Sequence, residues 1–149
     1  MTTKMEPITI LLVEDDLADQ KLIKLSLKNQ MIANDIKVAN SGEEALDYLH
    51  NLKPDDSDNP RPDLILLDLN MPGMGGKEFL RQIKLEEKLR IIPVIILTTS
   101  ESERDIFESY QLQASGYIHK PVTLEEFKTI MEKIKSYWFM VCKLPNKER

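Results

Sequence analysis

The chain has 149 residues, enough for one domain with a proper core or one domain plus a short extension. Its 42% apolar and 30% charged residues are ordinary for a globular protein, and a formal net charge of -5 argues against a general nucleic-acid binder, which carries a basic face. No apolar run is long enough to span a bilayer, residues 1–7 lack the apolar core of a signal peptide, and the lone Cys142 rules out an internal disulfide and suits a reducing cytosol.

Pro7-Ile-Thr-Ile-Leu-Leu-Val13 reads as a buried strand, closed by the acidic cluster Glu14-Asp15-Asp16. A helical pattern follows through Leu17, Leu22, Ile23, Leu25 and Leu27 to a polar break near Asn29, with Asp16 or a neighbouring acid placed to cap it. Ile36 to Ala39 is a short second strand. Ser41 with Glu44 three residues later is a capping-box signature for a helix through Ala45, Leu46, Tyr48 and Leu49. The polar, proline-rich stretch from Lys53 to Pro62 is longer than such connections usually are. It lacks the Gly and terminal Glu of an EF-hand, so it reads as a solvated excursion and not a calcium loop.

Leu64 to Leu67 is a run of consecutive apolar residues, the pattern of a strand covered on both faces. It stops at Asp68, and Asn-Met-Pro-Gly follows as a loop signal, so a carboxylate sits where ligands bind in open α/β sheets. Phe79, Leu80, Ile83, Leu85 and Leu89 continue a third helix. Pro93 to Leu97 is another buried strand, ending in Thr98-Thr99-Ser100. The next helix carries Ile106, Phe107, Tyr110 and Leu112, with Glu101, Glu103 and Asp105 suited to its first turns. Ser115 to His119 is the fifth strand, closed by Lys120-Pro121, and a last helix runs from Leu124 past Trp138. Strand and helix thus alternate five times, the signature of an α/β fold with a doubly wound parallel sheet. Right-handed crossovers put all strand ends on one rim. Residues 1–149 read as a single domain with an extended C-terminal helix and tail from about 136.

That topology gathers Glu14, Asp15, Asp68, Thr98 and Lys120 on one edge. Crowded carboxylates repel, so either some protonate or a cation joins them. All-oxygen ligation suits Mg²⁺ better than zinc, and no His/Cys set competes: His50 lies in a helix and His119 only precedes Lys120. A cation plus Lys120 would offset negative charge arriving at Asp68, as a transferred phosphoryl group brings, and the Thr98 hydroxyl could donate to it.

The segments Ile10–Asp16, Asp68–Gly73, Pro93–Thr98 and Gly116–Pro121 resemble the receiver domains of two-component response regulators, with the likeness running from about residue 8 to about 135. The resemblance implies a flavodoxin-like sheet of order 2-1-3-4-5 with five helices. It makes Asp68 the phosphoacceptor and Asp15 a direct Mg²⁺ ligand, with Glu14 acting largely through water, Asn70 giving its backbone carbonyl, and Mn²⁺ as an alternative ion. Thr98 and Lys120 would contact the phosphoryl oxygens, Tyr117 would be the aromatic switch working with Thr98, and the Lys120–Pro121 bond would be cis. The phosphoryl donor would be the phosphohistidine of a sensor histidine kinase. The protein would be a phosphoacceptor and not a conventional enzyme, limited to self-catalysed phosphotransfer and slow autodephosphorylation. Phosphorylation would alter the surface of the fourth helix, fifth strand and fifth helix.

The family pattern ends without a DNA-binding or enzymatic output domain, so output is expected through a downstream protein or a phosphorelay partner. Phe127, Ile130, Met131, Ile134, Trp138 and Val141 form one apolar face at helical spacing, which Tyr137, Phe139 and Met140 widen. Either this segment folds back on its own domain or it makes a homodimer through Tyr137, Trp138 and Phe139, the reading favoured here. The tail and the lengthened loop resemble the cytoplasmic single-domain regulators paired with phytochrome histidine kinases. Two rival readings exist. A pseudo-receiver scaffold would work without phosphate, and a haloacid-dehalogenase-like phosphatase needs an acid where Asn70 stands.

Overall fold

The computed structural model describes residues 8–28, 34–53 and 59–145. In chain order it holds β1 (Ile8–Val13), α1 (Leu17–Lys28), β2 (Asn34–Ala39), α2 (Gly42–His50), β3 (Leu64–Leu67), α3 (Gly76–Leu85), β4 (Val94–Thr98), α4 (Glu103–Gln111), β5 (Gly116–His119) and α5 (Leu124–Lys135), with a π-helical segment Ser136–Val141 continuing α5. Residues 1–7, the break near Asn29 and residues 54–58 of the long loop lie outside the described residues. The five strands are all parallel, in the order β2-β1-β3-β4-β5, as the resemblance implied.

Alternation along the strands divides the core in two. Leu11, Val13, Ile65, Leu67, Val94 and Ile96 face α2 and α3 through Ala45, Leu49, Phe79, Leu80 and Ile83. Their neighbours Ile10, Leu12, Leu64, Leu66, Ile95 and Leu97 face α1 and α5 through Ile23, Leu27, Phe127, Met131 and Ile134. This is why the central strands read as unbroken apolar runs: helices cover both faces.

Local chemistry fixes where the helices start. The Asp16 carboxylate accepts from the backbone N–H groups of Ala18 (2.8 Å) and Asp19 (3.1 Å), the cap expected for α1. Ser41 caps α2 through the Glu44 N–H at 3.0 Å, while the Glu44 carboxylate returns to the N–H of Asn40, one residue earlier than in a standard capping box. Gly76 opens α3 because nothing larger fits: a Cβ there would lie 2.3 Å from the Asp68 carbonyl oxygen.

Three apolar patterns come out differently. Helix α3 stops at Leu85, which is exposed, and buried Leu89 belongs to the following turn. On α4, Phe107 is 64% and Tyr110 49% exposed, and Ser109 is the helix's buried residue. At the chain's end the wider π turn, marked by the Cys142 N–H donating to the Tyr137 carbonyl at 2.9 Å, shifts the helical phase. Phe139 therefore packs with Trp138 against the α1–α5 core, whereas Val141, expected on the same stripe, is 70% exposed. Among the described residues no helix is long and apolar enough to cross a membrane.

Candidate functional site at the strand ends

Parallel pairing carries the ends of β1, β3, β4 and β5 to one rim, and backbone bonds fix each step. The N–H of Asp68 donates to the Val13 carbonyl, that of Glu14 to Ala39, and that of Lys120 to Thr98, at 3.0, 3.0 and 2.7 Å. Glu14, Asp68, Thr98 and Lys120 are consequently buried, and Asp15 is more open. The carboxylates of Glu14, Asp15 and Asp68 offer ligand atoms all within 4.8 Å of one another. Such a set suits one hard divalent cation. A further sign is that Asp68 Oδ1 is buried without a hydrogen-bond partner, an orphaned acceptor that calls for a cation or a donor.

Lys120 crosses the site. Its Nζ stands 2.5 Å from Glu14 Oε1, 2.9 Å from Asp19 Oδ2 and 3.7 Å from Asp68 Oδ2. Burial works against the ammonium, yet the hydrogen bonds to Glu14 and Asp19 and the nearby Asp68 charge raise its pKa above the ordinary lysine value. Burial likewise pushes the Glu14 carboxyl up, to about 7, outweighing the hydrogen bond from Lys120. The two shifts pull on one shared contact. Of the pair, the carboxyl gives way first and the lysine stays charged, because a second carboxylate supports it. Gln20 steadies this corner by donating to the Glu14 carbonyl (2.6 Å) and to Asn40 (2.8 Å).

Thr98 is fully buried, and its hydroxyl oxygen accepts from the Ser100 N–H at 3.4 Å. Tyr117 is half-buried; its hydroxyl donates to the Ser100 carbonyl at 2.9 Å and its ring packs against the α2–α3 core. Ser100 in turn donates to Asp105 at 2.5 Å, and Lys77 of α3 pairs with Asp105 and, at 2.7 Å, with Glu108. A chain of polar contacts thus runs from the floor of the site to α4. Asn70 is exposed in the loop after Asp68. The Lys120–Pro121 bond is trans, correcting the expected cis form. Trans is the ordinary preference by about 0.5–1 kcal/mol. Here Lys120 reaches both Thr98 and the carboxylates without a cis bond.

Sequence reasoning missed Asp19, Gln20 and the Lys77–Asp105–Ser100 contacts. Asp19 did carry a faint signal, an acid in the first turn of a helix beside the rim, but such acids are ordinary helix-dipole partners. Its pairing with Lys120 spans 101 residues and is visible only in the fold.

Residues 10–132 match the Response regulator receiver domain family. Response regulator Rcp1 of Synechocystis sp. is 38% identical over 139 residues, covering 93% of this chain and 94% of that protein. The solved structure of a phosphorylated cyanobacterial phytochrome response regulator, RcpA, is 38% identical, covers 95% of this chain and 100% of its own, and superposes with a TM-score of 0.85. A Mn²⁺-bound form of Rcp1 is also 38% identical, covers 94% and 100%, and has a TM-score of 0.83. Motifs, strand order and acidic pocket agree with these likenesses, and the chain belongs to the response regulator receiver domain family.

Proposed function

We propose that Asp68 accepts a phosphoryl group from the phosphohistidine of a sensor histidine kinase, and that a phytochrome pathway is the setting. The observation that carries this reading is the Asp68 carboxylate itself: buried, unpartnered at Oδ1, and set among two further acids and a lysine. In the transfer, an Asp68 oxygen bonds to phosphorus while the donor's P–N bond breaks and its electron pair returns to the imidazole. Lys120 carries positive charge to the phosphoryl oxygens, and Thr98, once its hydroxyl turns from Ser100, donates to them. Glu14, Asp15, Asp68 and the Asn70 carbonyl would hold Mg²⁺, with Mn²⁺ able to replace it. When bound, the ion offsets the charge of the carboxylates and the incoming group. Slow autodephosphorylation would reset the site.

The Tyr117 hydroxyl leaves Ser100 as Thr98 shifts, so the surface of α4, β5 and α5 reorganises and a downstream protein or phosphotransfer partner reads it. The exposed Phe107 and Tyr110 support α4 as part of that surface. The phytochrome setting draws support from the likeness to Rcp1 and RcpA. In this reading residues 1–149 form one cytoplasmic receiver domain whose extension from about 136 makes a homodimer through Tyr137, Trp138 and Phe139. Exposed Tyr137, Met140 and Val141 supply apolar area for that contact, and Trp138 and Phe139 add their outer edges. The net charge of -5 accords with protein partners and not nucleic acid.

Labelling with a small radiolabelled phosphodonor in the presence of Mg²⁺ tests the assignment. The wild type is expected to label and Asp68→Asn to remain blank. Label retained in Asp68→Asn would move the acceptor elsewhere, and a wild type that never labels would favour a phosphate-independent scaffold.

A further inference from the structure

Lys120 stands back from the carboxylate it serves. Two of the three ammonium donors have partners, Glu14 Oε1 at 2.5 Å and Asp19 Oδ2 at 2.9 Å, while the Asp68 oxygen at 3.7 Å lies beyond hydrogen-bond reach. Asp19 is not among the three carboxylates that converge on one point, and it comes from a different element, the first turn of α1. Its position is firm, because its own backbone N–H is tied to the Asp16 side chain. The two anchors also differ in what leaving them costs. Glu14 is 1% exposed, so losing the ammonium would strand a buried carboxylate, whereas the Asp19 side chain is 22% exposed and can turn to water.

We infer that Asp19 is a positioning residue that competes with the phosphoryl group for Lys120, holding the ammonium in the unloaded state and releasing it when Asp68 is loaded. This rests on Asp68 being the acceptor. Asp19 then sets how readily the site loads: drawing the ammonium the remaining distance toward a group on Asp68 works against the Lys120–Asp19 pair, and the pair re-forms when the group is lost. The transfer proposed above uses the acids, the hydroxyl and the lysine, so Asp19 adjusts the occupancy of the loaded state without touching the reacting atoms.

The test uses the full chain and beryllium fluoride with Mg²⁺, a tetrahedral phosphoryl mimic, titrated by calorimetry. Asp19→Asn, which keeps the side-chain shape and removes the charge, is expected to bind the mimic at least about fivefold more tightly, the lower end of ordinary coupling between sites. Asp19→Glu, which keeps a charge within reach, should return to wild-type affinity. The gain should persist at about 0.5 M salt, because a contact between partly buried groups is weakly screened while a long-range field is not. Unchanged or weaker binding in Asp19→Asn overturns the inference, and so does a gain that vanishes at high salt. Asp19→Ser provides a second charge-free variant read in the same way. If the wild type and Asp68→Asn bind the mimic alike, it is the acceptor assignment that fails; if only the wild type binds it and Asp19→Asn matches the wild type, the acceptor stands and the role of Asp19 does not.

Discussion

Helices α4 and α5 flank the same edge of the sheet, yet they are attached in opposite ways. Helix α5 buries Phe127, Met131 and Ile134 in a core shared with α1, and its π-helical continuation adds Trp138 and Phe139 to that core. Helix α4 buries Ser109 and leaves Phe107 and Tyr110 in solvent. Polar contacts fasten much of α4: the Lys77 pairs with Asp105 and Glu108, and the Ser100–Asp105 bond, with Leu112 at its C-terminal end packed against the core. Apolar burial is lost steeply and all at once, whereas partly exposed ion pairs exchange for water at little cost. Within the proposed switch, this contrast favours α4 as the part of the α4–β5–α5 surface that changes most, with α5 the more firmly anchored part.

The largest effect is expected where α5 is most deeply anchored. Phe127→Ala should cost about 3–5 kcal/mol of unfolding free energy in urea titration, against less than about 0.5 kcal/mol for Phe107→Ala. Equal losses at the two positions would erase the distinction between the helices. A smaller effect is expected at the extension, where Trp138 is half inside its own core. Trp138→Ala should cost about 1–2 kcal/mol and shift any dimer toward monomer in sedimentation velocity. A wild type that stays monomeric at high concentration, with and without phosphate, would confine this residue to packing. The smallest effect belongs to α4. Lys77→Met should lower global stability by no more than about 1 kcal/mol, yet hydrogen exchange of the α4 amides should accelerate while α5 exchange stays unchanged. Unaltered α4 exchange would mean that something other than these ion pairs fastens the helix.

Much of this arrangement could be read before folding, and the reasons are local. Leu64 to Leu67 announce a doubly covered strand because no polar residue interrupts them, and Asp68 marks its end because a loop signal follows at once. Ser41 and Glu44 disclose a helix start through a bond only three residues long. The failures are equally specific. Val141 and Phe139 exchange places because a π turn alters the phase that a regular helical repeat presumes. Phe107 and Tyr110 have the spacing of a core face, and spacing alone does not say whether anything covers it. The link between Asp19 and Lys120 joins the first and last thirds of the chain, beyond any local pattern. Residue types at the rim were legible from their places at strand ends; how they share one ammonium was not.

Gly76 carries a consequence for the direction in which a signal can leave. The Asp68 carbonyl is pressed so closely on the start of α3 that even a methyl group is shut out, and the Gly76 N–H is tied to the Leu69 carbonyl at 3.0 Å, so the main chain on that side of Asp68 is closely packed. If Asp68 is loaded as proposed, this close packing favours a response on the opposite side of the pocket, where Thr98, Ser100 and Tyr117 are joined by hydrogen bonds that can be exchanged.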